Sequence, residues 1–161
     1  MGQERLHNKA ARRRGVRGSS LWLVSVFTVV VAIIANLIVR AVAFALLPLS
    51  AEFPPLRVSA VVLFTFVGVA AAAGVYALVR RFTRRAVLIY SVVAVIALLV
   101  SLIPDFQMLG DPAKDPFPGV TEPFPGGTVS AIWVLMAFHV VAAVVSIGML
   151  TQLAPPPQER A

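Results

Sequence analysis

The sequence contains no cysteine, which excludes disulfides, thiolate metal sites and thiol redox chemistry. Charge is also scarce. Aspartate, glutamate, lysine and arginine make up 13% of the chain, against roughly 25% in soluble domains. Only seven residues are acidic and two are histidine. None of HExxH, GxSxG, a P-loop or CxxC occurs, so no catalytic motif stands out. The longest apolar runs carry no carboxylate, which argues against a pump built on buried acids. What is abundant is apolar side chain, at 59% of 161 residues. A soluble protein of that size has too much surface for its volume to hide so much. A surface in contact with lipid removes the difficulty.

A bilayer core about 30 Å thick requires around 20 apolar helical residues. Four runs meet that length, at residues 21–47, 58–79, 86–103 and 129–153. The first is interrupted by Asn36 and Arg40, and the fourth holds His139. Pro104 is expected to stop the third. The runs lack the period-2 alternation of barrel strands, and are too long for them, so an all-α, four-transmembrane-helix bundle is expected. The first run has a basic flank and an Ala41-Val42-Ala43 segment resembling a cleavage site. Its apolar stretch is far longer than the 7–15 residues usual in a signal peptide, so it is read as a span.

Eleven of the fourteen basic residues lie on one side of these spans. Arg12, Arg13 and Arg14 belong to the tail at residues 1–20, expected to lack a fixed fold. Arg80, Arg81, Arg84 and Arg85 fill the loop between the second and third spans. Five acids (Glu52, Asp105, Asp111, Asp115 and Glu122) fall on the opposite side. The positive-inside rule therefore places both termini and the arginine loop in the cytoplasm. These arginines also suit anionic lipid headgroups. The tail has no aromatic interleaving, so nucleic acid is not expected as a partner.

Residues 104–128 form a loop on the other side, rich in proline and glycine and expected to hold no regular helix. It is read either as a connector or as a lid. Residues 154–161 are a short tail beginning at a proline run. The approach Phe53-Pro54-Pro55-Leu56-Arg57-Val58-Ser59-Ala60 matches Phe124-Pro125-Gly126-Gly127-Thr128-Val129-Ser130-Ala131 at five of eight positions. Two readings stand: a repeated helical hairpin about an axis along the membrane normal, or coincidence in a restricted alphabet.

Polar residues inside the spans are the candidate site. Asn36 and Arg40 are four apart and share a helix face. Arg40 lies near a boundary, where it can snorkel to headgroups or toward the Asp105 loop. The alternative is an anchor for an anionic group or a partner within the bundle. His139 lies about 16 Å inside Thr128, as an interhelical hydrogen-bonding group, a ligand group or a base, although no partner that would orient it is visible. Thr65 and Ser101 fall at comparable depth. Asn36, Arg40, Thr65, Ser101 and His139 thus form a candidate cluster. Small residues at Gly68, Ala70, Ala72 and Gly74, and at Ala142, Ala143, Ser146 and Gly148, suit close packing within the bundle or dimerisation.

Asn36 with Arg40, the Arg80-to-Arg85 loop after an alanine-rich span, and Phe138-His139-Val140-Val141-Ala142-Ala143 give the chain a further likeness. Over residues 19–154 it resembles a family of small four-span bacterial membrane proteins, common in actinobacteria and relatives, known as a domain of unknown function. That resemblance implies a bacterial plasma membrane and brings no activity. The expectation is a non-enzymatic accessory, scaffold or assembly subunit without a cofactor, partnered by the bilayer, other membrane subunits or itself. The alternative is a binder or transporter of a small anionic or lipid-like ligand. The orientation is directly testable, because the natural chain offers no thiol. A single cysteine at Glu52 is expected to react with a membrane-impermeant maleimide added to intact cells, and one at Thr83 to react only after lysis.

Overall fold

The computed structural model describes residues 2–112 and 125–154, with side chains from Leu21 onward. Helix α1 spans Gly2–Leu46, α2 Val58–Phe82, α3 Ala86–Ser101, α4 Ile103–Met108 and α5 Val129–Leu153. A 3-10 turn at Pro54–Leu56 precedes α2. Among the described residues there is no strand. Four helices are long and apolar enough to cross a membrane: Leu21–Leu46, Val58–Phe82, Ala86–Met108 and Val129–Leu153. The fold is an all-helical, multi-pass membrane architecture.

Between 11% and 28% of each apolar window is buried inside the protein. Most large side chains therefore face outward, Leu63, Phe64, Ile96 and Val144 among them. Trp22 and Trp133 are exposed near opposite ends of the bundle, where amphipathic rings favour the membrane interface. Two buried clusters fix the antiparallel order. At the arginine end, Ala73, Tyr76, Tyr90, Leu150 and Ala154 pack with Leu21 and Val24. At the opposite end, Ala43, Phe53, Leu56, Val61, Met108, Ala131 and Ile132 pack together. Helix α1 packs on α2 and α5, and α3 leans on α2 and α5.

Three sequence expectations change. The tail at residues 1–20 continues α1 as helix from Gly2; Glu4, Arg5, Leu6, Lys9, Ala10 and Ala11 are good helix formers with no proline to interrupt them. Its Arg12, Arg13 and Arg14 side chains lie outside the described residues. The third span does not stop at Pro104. Proline sits in the first turn of α4, where its missing N–H has no intrahelical role and its fixed φ fits. The Leu102 N–H still donates to the Leu98 carbonyl at 3.1 Å, and the Phe106 N–H to the Leu102 carbonyl at 3.0 Å, so the ladder resumes on either side of the proline. The apolar helix consequently runs to Met108. The proline-rich loop starts at residue 109, and residues 113–124 lie outside the described residues, as does the tail at 155–161.

The two similar approaches end alike and begin differently. Both following helices start at the aligned valine, Val58 or Val129. Ahead of α2 stands a 3-10 turn, with Arg57 at the N-cap and no side-chain bond. Ahead of α5 the Thr128 hydroxyl caps the helix by accepting from the Ala131 N–H.

Gly126 has φ +71°, in the left-handed region that favours glycine. A Cβ there would run into the Ser50 side chain. This seats the start of α5 against the α1–α2 connection. Gly68, by contrast, has open space around an added Cβ. Gly126→Ala is expected to destabilise the protein by about 1 kcal/mol or more, and Gly68→Ala to leave stability unchanged or raise it. Thermal melts of the two variants in one detergent check this contrast.

Candidate functional site

Hydroxyls in an apolar helix can be satisfied locally, by donating to a carbonyl one turn back. Ser25 donates to Leu21, Thr28 to Val24 and Thr151 to Ile147 in this way. Ser101 does the same through Leu98, at 2.7 Å. A carboxamide has more to satisfy. Asn36 of α1 is 1% exposed, and its Nδ2 donates to Thr65 Oγ1 of α2 at 2.9 Å and to the Phe138 carbonyl of α5 at 3.4 Å. One side chain thereby ties three helices together.

Those two acceptors fix the amide orientation, because the opposite flip would set Oδ1 against the Phe138 carbonyl. Asn36 Oδ1 is left without a hydrogen-bond partner. The Tyr90 hydroxyl and Asp105 Oδ2 are likewise buried and unpartnered among the described residues. All three residues line one cavity of about 740 Å3 between α2, α3, α4 and α5. Native interiors rarely leave such groups unpaired, and here the three residues that hold them line a single space, Asn36 and Asp105 toward one end and Tyr90 toward the other.

The cavity is otherwise apolar. Its walls include Val61, Phe64, Val69, Ala94, Leu98 and Leu135, with Pro54 and Pro55 at one end. Its length follows from the helices that form it: from Ala60 to Ala72 of α2 is about 18 Å at 1.5 Å per residue. The volume lies within the roughly 300–1,000 Å3 of small-molecule sites. Part of each small-residue stripe expected to pack helices together opens onto it instead. Gly68, Ala72, Ala142, Ala143 and Ser146 line the wall, and an added Cβ at Gly68, Gly74 or Gly148 meets nothing within 4 Å.

Of the five clustered candidates, Asn36, Thr65, Ser101 and His139 line this cavity and Arg40 does not. Ser101 contributes wall rather than a free hydroxyl, since its proton goes to Leu98. Arg40 does not turn to Asp105. Its Nε donates to the Leu56 carbonyl at 2.6 Å, and its guanidinium lies 4.4 Å from the centre of the Phe44 ring. Leu56 ends the 3-10 turn just before α2, and the first α2 bond goes to the Arg57 carbonyl, so Arg40 satisfies an acceptor the helix leaves behind.

The sequence reading missed Asp105 and Tyr90. Asp105, assigned to the outer loop, is 6% exposed on the helical extension past Pro104. Its Oδ2 is 3.5 Å from His139 Nε2, an ion-pair distance longer than a hydrogen bond. The apolar helix thus does carry an acid, and His139 does have a carboxyl neighbour. The available signal was the continued apolar spacing of Ile103, Phe106 and Met108 beyond a proline that fits a first helical turn. Tyr90 was hidden inside an apolar run.

At the arginine end, Arg80 has a structural task besides any lipid contact. Its Nη1 donates to the Ala154 carbonyl at 3.0 Å, and the Tyr76 hydroxyl donates to the same oxygen at 2.7 Å. Arg80 also lies 5.6 Å from the Tyr76 ring centre, and Tyr76 meets Tyr90 edge-on at 4.8 Å. Arg81 stands beside it in the last turn of α2, and Arg84 and Arg85 occupy the short turn that follows. Among the described residues no group of three or more histidine, cysteine or acidic side chains is placed to hold a metal.

Residues 16–114 match the sequence family described as "Family of unknown function (DUF6069)", more than half of the chain. The chain belongs to the DUF6069 family. The matched segment includes Asn36, Arg40, Thr65, Tyr90, Asp105 and the arginine turn. Helix α5, with His139 and the Phe138 carbonyl, lies beyond the DUF6069 match, so the cavity combines family-matched walls with one outside it. No match to this chain was found among curated proteins or among solved structures.

The Asn36–Thr65 bond is expected to stabilise the bundle modestly. Interhelical hydrogen bonds in membranes contribute about 0.6–2 kcal/mol. A double-mutant cycle with Asn36→Ala and Thr65→Ala, read by thermal or denaturant unfolding, is expected to give a coupling energy in that range; additive losses would remove Asn36 from this bridging role.

Proposed function

We propose that this protein resides in a bacterial plasma membrane, with its termini in the cytoplasm, and binds or carries a lipid-like amphiphile in the α2–α3–α5 cavity. The observation that carries the reading is one elongated, largely apolar space lined by three residues that each hold a buried, unpaired oxygen, Asn36 and Asp105 toward one end and Tyr90 toward the other. An apolar chain suits the walls, and a polar head suits the oxygens. The role is one of binding rather than chemistry. A lipid-facing protein has ready access to such ligands, because the surrounding bilayer supplies them at high local concentration.

An accessory or assembly role draws on the same open stripe of small residues, with a partner helix in place of a small ligand. The unpaired oxygens weigh against it. An apolar helix seated in the cavity would leave them unsatisfied, at a cost of roughly 1–3 kcal/mol each. A ligand with a polar head relieves that cost at Asn36 and Asp105.

Filling the space tests the reading. Gly68→Leu combined with Ala72→Leu places two large side chains in the cavity wall without touching the Asn36 bridge. Native mass spectrometry of protein released from lipid nanodiscs is expected to find a retained amphiphile on the natural chain and its loss from the double variant, with both melting alike. Equal retention by both would place the bound lipid elsewhere and remove the cavity from the function.

A further inference from the structure

We propose that the head group taken by this cavity is an ammonium carried on an apolar chain. This rests on the reading of the cavity as an amphiphile site and adds the charge and hydrogen-bonding character of the ligand. Asn36 Nδ2 is committed to Thr65 and the Phe138 carbonyl, which leaves Oδ1, a carbonyl oxygen that can only accept, as the group still to be satisfied. Asp105 supplies a second buried acceptor, Oδ2, which accepts no hydrogen bond within the protein and has His139 Nε2 3.5 Å away. These two groups face neighbouring residues of α5: Asn36 bonds to Phe138, and Asp105 approaches His139. They therefore lie at a common level, on two walls of one space.

The positive charge to match them is not supplied by arginine. Arg40 is outside the cavity lining and is bound to the Leu56 carbonyl and the Phe44 ring. An anionic head would meet a carboxyl group and an amide oxygen, and the one basic side chain in the cavity lining, His139, already lies 3.5 Å from Asp105 Oδ2. An alcohol brings a single donor. An ammonium brings up to three donors and the charge that a buried carboxylate requires. Tyr90, about 22 Å from Asp105 along α3 and α4 by helical rise, lies toward the other end, so the chain extends between them over apolar wall.

Two sources share this chemistry: a free lipophilic amine, and an aminolipid of the bilayer. The test compares dodecylamine, dodecanol and dodecanoate for binding to the full chain in phosphatidylglycerol nanodiscs, then repeats the measurement with phosphatidylethanolamine included. Dodecylamine is expected to bind about tenfold or more tightly than either other probe, and Asp105→Asn to abolish the difference, as loss of a charged hydrogen bond implies. Asp105→Glu is expected to restore part of it. Retention of phosphatidylethanolamine, with competition against dodecylamine, identifies the lipid source; dodecylamine binding without such competition identifies the free amine.

Equal or tighter binding of dodecanoate or dodecanol overturns the ammonium assignment. So does an unchanged preference in a folded Asp105→Asn variant. If that variant fails to fold, the comparison of the three probes on the natural chain decides alone. Should all three bind alike and be blocked by Gly68→Leu with Ala72→Leu, the cavity reading stands and the ammonium falls. Should none bind, both fall.

Discussion

The rest of the bundle depends on a single carboxamide that has no water to bond. In hydrocarbon a polar side chain must find its partners within the protein, and Asn36 finds them on two other helices. That requirement sets the rotation of α1, brings Thr65 to face it, and holds the Phe138 turn of α5 close. Helices α1, α2 and α5 form the tied part of the bundle. Helix α3 makes no bond to this knot. It is held instead at its ends, by Tyr90 on Tyr76 and by α4 beside α5.

The cavity is a consequence of that asymmetry. Its ends are pinned by polar contacts: Arg40 on the Leu56 carbonyl at one, Arg80 and Tyr76 on the Ala154 carbonyl at the other. Between them the facing residues of α2 and α5 are small, including Gly68, Ala72, Ala142 and Ala143. In water, such a gap would collapse to bury apolar surface. In a bilayer the lipid tails are as apolar as leucine, so collapse brings no comparable gain and packing alone decides. A space between helices is therefore stable in a membrane when something apolar can occupy it.

The spans were legible because length and apolarity are properties of the chain itself, and the helix starts at Val58 and Val129 were legible from where the second and fourth apolar runs begin. Contacts among the polar residues were not. Arg40 shares a face with Asn36, yet it turns to a carbonyl exposed by the break between a 3-10 turn and α2, a geometry absent from any spacing rule. Pro104 reads as a stop until it is placed in a first helical turn, where it fits; with that error Asp105 moved from the membrane to the loop. The small residues were correctly seen as a stripe, but a stripe does not reveal whether a neighbour approaches it. At Gly68 and Gly148 none does.

The most direct test is an experimental structure of the protein held in native-like lipid, without added ligand. The account predicts elongated density in the space between α2, α3 and α5, ending within hydrogen-bond distance of Asn36 Oδ1 and Asp105 Oδ2. Helix α3 closed against the Gly68–Ala72 face, with those two oxygens bonded to protein groups, would contradict it.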